Sequence, residues 1–319
     1  MRADDIIDRQ RLRRKVTFWR IISVLLAVVG VLGLAGLLID GESIGQRGSD
    51  HVAKIKIEGT ITEDEELLER LAEIEKSERV RGVILAIDSP GGTTVGGEAI
   101  YEAVRKIAQK KPVVAQVGTL AASAGYMIAA GADQIVARQS SIVGSIGVIF
   151  QYPNFEQLLT NLGIDMRAIK SSPLKAEPSF YGQTPAGAEE MIERMILDSF
   201  TWFKDIVTER RKFTSEKTDT LADGSIFTGR QAKDNGLIDL LGGEEVARSW
   251  LTEKGVDEKL ETIEWAKPNR SSNFLFPFAV AEWISSQFGI KLGPDALNNR
   301  IYEHLMLDGL LSVWHVPAK

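Results

Sequence analysis

Two serine-bearing stretches hold the residue types from which a covalent catalyst could be built. Ser89-Pro90-Gly91-Gly92 follows an apolar run at 83–87, and Ser123 lies in Leu120-Ala121-Ala122-Ser123-Ala124-Gly125, just past the next apolar run. Adjacent glycines let a substrate carbonyl approach the backbone, and N–H groups at a glycine turn or a helix start stabilise anionic oxygen. The plainer reading of Pro-Gly-Gly is a turn and nothing more. Alanine and glycine flanks leave the Ser123 hydroxyl uncrowded, as a nucleophile requires, although a serine at that place also reads as an ordinary helix N-cap. The hydroxyl attacks only if a base takes its proton. The chain has no cysteine, and its three histidines, His51, His304 and His315, lie outside the long middle of the sequence. Thiol nucleophiles and thiolate metal sites are excluded, and a Ser-His-Asp triad or a multi-histidine metal site is hard to assemble there. Carboxylates or a neutral lysine remain. A lysine becomes a base when burial disfavours its ammonium form. Lys170 and Lys175 sit in a proline-bearing run, 170–183, and composition does not choose between them; most lysines are solvated and inert.

The elements that must position these residues follow from hydrophobic period. Residues 51–57 alternate apolar with polar, as a half-buried strand does, and a charged run at 62–78 repeats Leu67, Leu68, Leu71 and Ile74 at helical spacing. The continuous apolar run 83–87 predicts a strand covered on both faces. Helix is predicted at 94–110, strand at 112–117, a small-residue helix at 121–132, and strands at 134–137 and 146–150. Strand and helix alternating in this way predict right-handed βαβ units in a layered α/β domain. Beyond that, 154–161 reads as helix, 164–169 as strand and 170–183 as loop. Thr184-Pro185 would cap a long helix reaching about Lys212, whose stripe of Met191, Met195, Ile196, Phe200, Phe203, Ile206 and Val207 reads simply as core. Residues 222–241 and 244–254 complete the compact region.

At 319 residues the chain fits one large domain or two small ones, and 44% hydrophobic with 26% charged residues is ordinary globular usage, which leaves no room for a multi-span transporter. The net charge of −6 hides an asymmetry. Residues 1–20 carry seven Lys/Arg against three Asp, a local +4, so the rest carries −10. An acidic body without a basic stripe argues against nucleic-acid binding. Residues 21–39 run nineteen positions without a charge, between Arg20 and Asp40. At 1.5 Å per residue that is about 28 Å, close to a bilayer's hydrocarbon thickness, so an uncleaved single-pass anchor is expected. The alternative is a cleaved signal, with a weak site at Leu34-Ala35-Gly36. The cationic flank places the N-terminus in the cytoplasm and the body outside it. A later apolar run, 274–284, is too short to cross and contains Pro277 and Glu282.

Several runs taken together resemble the SppA-type signal peptide peptidases. These are IDSPGGTTVGGEA (87–99), VGTLAASAGYMIAAGADQIVA (117–137), SSIVGSIGVI (140–149), KSSPLKAE (170–177) and ADGSIFTGRQAKDNGLIDLLGG (222–243). The resemblance covers roughly 52–250. It implies a ClpP/crotonase-like fold and a bacterial, membrane-anchored serine-lysine peptidase acting on remnant signal peptides or other apolar peptides. It also implies a catalytic domain on the outer side of the inner membrane, a homo-oligomer in which a neighbouring subunit contributes part of each site, and no cofactor. It makes Ser123 the nucleophile and Lys175 the general base, with Lys170 the lesser candidate. Oxyanion donors map to the backbone N–H groups of Gly91-Gly92 and to the backbone beside Ser123, while Ser145 matches a serine that orients the lysine amine. Asp88 departs from the asparagine frequent before Ser-Pro-Gly-Gly, and would add negative charge near the oxyanion site if it pointed inward. The expected division is a basic stub (1–20), an anchor (21–39), a linker (40–51), a peptidase domain (52–256) and an extension of unassigned role (257–319). Two other readings share the fold. A catalytically silent scaffold could recruit partners through the aromatic extension, and a crotonase-type acyl-CoA enzyme would need a cytosolic substrate.

Overall fold

The computed structural model describes residues 48–266, the strand at 310–313, and residues 18–20, 22, 23, 25 and 30. The chain divides into two compact units, Met1–Ser49 with Asn269–Ile290, and Asp50–Pro268 with Lys291–Lys319. In the first, the described residues from 18 to 30 are helical, with Phe18 and Trp19 exposed and edge to face. No helix among the described residues is long and apolar enough to cross a membrane. The expected anchor at 21–39, apart from residues 22, 23, 25 and 30, lies outside the described residues. So do His304, His315, the run 274–284 and all of the expected extension beyond 266 except 310–313.

The second unit is a mixed α/β sheet. Its strands are β1 (His51–Ile61), β2 (Val80–Thr93), β3 (Val113–Ala122), β4 (Gln134–Ala137), β5 (Ile142–Gly144), β6 (Ile149–Phe150), β7 (Ile226–Thr228), β8 (Leu240–Leu241), β9 (Thr262–Glu264) and β10 (Leu310–Val313). Its helices are α1 (Glu65–Lys76), α2 (Thr94–Ala108), α3 (Ala124–Gly131), α4 (Glu156–Asn161), α5 (Ala188–Arg211), α6 (Ser215–Leu221), α7 (Gly229–Asn235) and α8 (Glu244–Glu253). One path through the sheet runs β6-β10-β2-β3-β4-β8. β1 pairs with β2 and β9, β5 with β3, and β7 with β5. β7 and β10 pair antiparallel to their neighbours, and the remaining pairs are parallel.

The apolar runs are continuous because both faces of the central strands are covered. On one face Ile55, Leu85, Ala115 and Ile135 join the core made with α1, α2, α3 and α5. On the other, Val52, Ile84, Val114 and Val136 pack on Ala247, Trp250 and Leu251 of α8. The helical period in α1 buries Leu67, Leu71 and Ile74, each contributing about 1.5–3 kcal/mol. Asp64 caps that helix, accepting from the Leu67 N–H. The C-terminal end of α5 is tied to β4 and β8. Arg211 grips Asp239 with both terminal nitrogens at 3.0 and 2.6 Å, and the same carboxylate accepts from Ile135 N–H at 2.8 Å.

Local expectations change in several places; the helix expected at 121–132 begins at Ala124 because β3 runs on to Ala122, and of the strand expected at 146–150 only Ile149–Phe150 forms. β2 does not stop before Ser89-Pro90-Gly91-Gly92 but runs through it to Thr93, because Thr60 and Ile61 of β1 continue to pair with Gly91 and Gly92. Non-local pairing overrides the turn chemistry there. Residues 164–169, predicted as a strand, form none; Ile164, Met166 and Ile169 are exposed, and among the described residues no strand pairs with them. The long helix starts at Ala188 after Gly187, which has φ 87°, not at Thr184-Pro185. Residues 257–266, expected to open the extension, belong to the same unit: β9 pairs with β1, Trp265 is buried, and its indole N–H donates to His51 Nε2 at 3.1 Å.

Candidate active site

Register brings the serines and glycines of the site together at the carboxyl edge of the sheet. Ser89 pairs with Ala121, and Ala122 with Gly144, so the ends of β2, β3 and β5 stand side by side. That edge is where open α/β sheets bind ligands. β3 ends in a sharp reversal at Ser123, with φ 57° and ψ −121°, a conformation that costs about 1–3 kcal/mol in a residue bearing a Cβ. Ser145 repeats the anomaly at φ 51°, after Gly144 at φ 106°. Ser123 is fastened to the residue before Ser145, and Ser145 to the loop before β7. Ser123 N–H donates to Gly144 O at 2.8 Å, and Ser145 N–H to Ser225 O at 2.7 Å. Hydrogen bonds from the Ser225 hydroxyl and N–H hold the Asp223 carboxyl below its usual range, which fixes the loop in turn.

Ser123 takes the N-cap position of α3 yet makes no side-chain cap hydrogen bond, so the ordinary capping reading does not account for it. It is 1% exposed, and α3 behind it is wholly buried. Ser123 N–H is spent on Gly144, and the first amides of α3, those of Ala124 and Gly125, follow it in the chain. A helix leaves its first N–H groups without intrahelical partners and carries partial positive charge there. Tyr126, buried with its hydroxyl donating to Leu237 O at 2.8 Å, anchors that helix; burial pushes its phenol far up, so it stays neutral.

The glycine pair divides its labour. Gly91, at φ 107°, gives its N–H to Ser89 Oγ at 3.1 Å, and Ser89 donates in turn to Gly59 O at 2.6 Å. Gly92 is needed for close approach: a Cβ there would sit 1.8 Å from Ile61 O. Asp88, the departure noted in the sequence, is exposed with its carboxylate over Gly118 and so lies on the outer side of β2. Ser225 was not singled out in the sequence, and Ser89 only as part of its run; each holds a neighbouring backbone group here. Both lay inside runs already recognised, and only the folded register shows what they hold.

The lysines stand apart from this register. Lys175 is exposed in a turn closed by its own N–H to Ser172 O at 3.2 Å, ahead of Ala176 at φ 58°. Lys170 is ion-paired with Glu177, whose Oε2 also accepts from Ser179 N–H at 2.7 Å. The Lys170 hydrogen bond, first, and the Ser179 N–H hold the Glu177 carboxyl below its usual range.

Comparison with known proteins gives a consistent answer. Residues 105–257 match peptidase family S49, and residues 51–145 match the Clp protease family. The chain is 38% identical over 223 residues to a candidate protease of Synechocystis sp., covering 68% of this chain and 80% of that protein. It is 30% identical over 294 residues to a candidate protease of Methanocaldococcus jannaschii, covering 87% of this chain and 94% of that one. A candidate signal peptide peptidase SppA of Enterococcus faecium is 31% identical over 220 residues, 68% of this chain and 63% of its own length. Identity at this level along most of two relatives, on a Clp-like α/β sheet with a serine turn at its carboxyl edge, places the chain in peptidase family S49, among the SppA-type proteins.

Proposed function

We propose that this S49 peptidase is a membrane-anchored serine endopeptidase that degrades cleaved signal peptides or other apolar peptides, with Ser123 as nucleophile and Lys175 as general base. The observation that carries the reading is the strained turn that sets Ser123 at the carboxyl edge of the sheet, at the start of α3. Strain of this kind persists where the surrounding structure over-determines it, and it aims a strand-to-helix serine out of its sheet. In the proposed reaction the Lys175 amine accepts the hydroxyl proton while Ser123 Oγ adds to the peptide carbonyl. The resulting oxyanion meets backbone N–H groups of Ala124 and, on the Gly91-Gly92 edge, of Gly92, since Gly91 N–H is held by Ser89 Oγ; each donor lowers the barrier by about 3–4 kcal/mol. Lysine then returns the proton to the leaving amine, and water hydrolyses the acyl-enzyme by the same relay. Ser145, next to Gly144, is suited to orient the amine.

Lys170 is the weaker candidate because its nitrogen is already engaged by Glu177. Lys175 carries no such engagement among the described residues, but it is exposed, and a base needs a drier setting. A homo-oligomer in which a neighbouring copy buries that turn supplies one. The exposed apolar residues around the turn, Phe155, Leu158, Leu162, Met166, Ile169 and Tyr181, support assembly there. The charged flank and apolar run at 21–39 support an anchor that holds the site at the outer surface of the membrane.

The test uses the full chain in detergent with an unstructured apolar peptide. Ser123→Ala and Lys175→Ala are each expected to lower turnover by at least about a thousandfold, with Lys170→Ala much milder. Equal turnover in the parent, Ser123→Ala and Lys175→Ala would remove the dyad, and loss confined to Lys170→Ala would move the base. A reporter fused after Lys319 is expected to signal from the extracytoplasmic side; a cytoplasmic signal contradicts export.

A further inference from the structure

One hydroxyl beside the glycine edge is buried and unused. Thr94, the first residue of α2, is 8% exposed, and its Oγ1 is buried with no hydrogen-bond partner among the described residues. The capping duty at this helix start belongs to its neighbour: Thr93 Oγ1 accepts from Gly96 N–H at 3.1 Å. A threonine in a helix also has a local option, a bond back to a carbonyl three or four residues earlier, and Thr94 does not take it. Valine would fill nearly the same volume without stranding a polar atom, and most buried polar groups are paired. A stranded hydroxyl here points to a partner that arrives only when the protein works.

The face of α2 shows where the hydroxyl is aimed. Residues 94, 97 and 101 form one helical stripe, spaced i, i+3 and i+7. Gly97 stands against α3, since a Cβ there would meet Ala124 Cβ at 3.0 Å and Met127 Sδ at 3.3 Å. Tyr101 stands against the other end of α3, where a Cβ on Gly131 would meet its Cδ2 at 3.1 Å. The contacts advance in the same direction along both helices. One turn before Gly97, the stripe therefore faces the start of α3, where Ser123 precedes Ala124, and helical side chains lean further that way, toward their own N-terminus. The start of α3 in turn abuts the end of β2, because a Cβ on Gly125 would lie 3.0 Å from Ser89 O. Thr94 thus follows Gly92 by two residues and faces the α3 start that carries Ala124, the two residues whose amides are assigned above to the oxyanion.

We propose that Thr94 is a further catalytic residue, a side-chain donor whose Oγ1–H bonds the oxyanion formed when Ser123 adds to the peptide carbonyl. This rests on the peptidase reading of Ser123. The proton stays on threonine: the hydroxyl donates to the oxygen as it becomes negative and releases it when the carbonyl re-forms. An interaction made only in the transition state lowers the barrier without tightening substrate binding. A donor held in place beforehand, with no partner of its own to give up, suits that task.

The experiment compares the full chain in detergent with Thr94→Val, which removes the hydroxyl at nearly constant shape, and with Thr94→Ser, which keeps it. The readouts are kcat and KM for an unstructured apolar peptide, the urea midpoint, and the rate at which an alkyl fluorophosphonate labels Ser123, its phosphoryl oxygen standing in for the oxyanion. Thr94→Val is expected to lower kcat about a hundredfold at unchanged KM and to slow labelling at least about tenfold. Its urea midpoint is expected to equal or exceed the parental one, because the stranded hydroxyl is gone. Thr94→Ser is expected to retain most of kcat. Parental kcat in Thr94→Val overturns the proposal. So does a lower kcat that comes with a lower urea midpoint, which would make the hydroxyl a structural group satisfied by bound water, and so does a rise in KM alone, which would place it on the ground-state peptide. A parent that cleaves and labels at Ser123, with Thr94→Val equal in both, removes Thr94 and leaves the peptidase reading intact. A parent that neither cleaves nor labels sinks the peptidase reading itself, and this proposal with it.

Discussion

A single methyl group tests how the edge of the site is built. Gly92 lies where β1 and β2 come so close that a Cβ would stand 1.8 Å from Ile61 O and 2.5 Å from Ile61 N, both backbone atoms that cannot swing away. Gly92→Ala must therefore part the two strands beside the Ser89-Gly91 hydrogen bond. The expected cost is about 3 kcal/mol or more in urea unfolding, with peptide turnover falling alongside it. Gly182, with open space where its Cβ would go, serves as the control: Gly182→Ala is expected to change stability by less than about 0.5 kcal/mol. A Gly92→Ala chain as stable as the parent would mean that β1 and β2 are not held in this register. Ser123 and Ser145 hold positive φ for a different reason. Their N–H groups are locked to Gly144 and Ser225, and the strain is carried by the sheet behind them.

Among the elements, the turn-bearing segment 170–180 depends on one carboxylate. Glu177 accepts from Lys170 and from Ser179 N–H, and both bonds favour its ionised form. A carboxyl held below its ordinary 4.5 contributes stability that is full above that value and is lost as pH falls through the folded value. The segment around Lys175 is thus expected to loosen only on acidification below about pH 4, seen as faster cleavage at 170–180 by an acid-active protease. Glu177→Gln should loosen it at neutral pH, and a segment equally resistant at both pH values would show that the Glu177 contacts do not order it. How much could be read in advance also divides by element. The strands at 83–87 and 134–137 were legible because a sheet covered on both faces leaves an unbroken apolar run. The passage of β2 through Pro90-Gly91-Gly92 was not legible, since strands distant in sequence, β1 on one side and β10 on the other, hold it extended. The adjacency of Ser123 to Ser145 rests on Ala122↔Gly144, a pairing that no local pattern encodes. The failed strand at 164–169 makes the same point in reverse: a strand-like pattern without a partner stays irregular.

For the peptidase unit as a whole, the proposed assembly makes a demand that a single chain does not. Ser123 is fixed at the sheet edge, whereas Lys175 stands on an exposed turn amid exposed apolar residues, so a neighbouring copy is the proposed source of either the amine or the surface that buries it. The full chain in detergent is expected to sediment as a multi-subunit particle. Leu158→Glu/Ile169→Glu, which places charge on two exposed apolar positions, is expected to reduce it to smaller species and cut turnover at least tenfold without changing thermal unfolding, because neither side chain is in the core. Complementation then separates the two arrangements. If serine and lysine come from different copies, mixing inactive Ser123→Ala and Lys175→Ala chains under subunit exchange leaves a random quarter of sites with both groups, and about a quarter of parental turnover returns. If both come from one chain, every site in the mixture lacks one group and no turnover returns. A particle that stays intact in Leu158→Glu/Ile169→Glu with full activity would place the subunit contact elsewhere. A parent that sediments as an active single chain would remove the need for one, and the Lys175 turn would then have to close over Ser123 within its own chain when peptide binds.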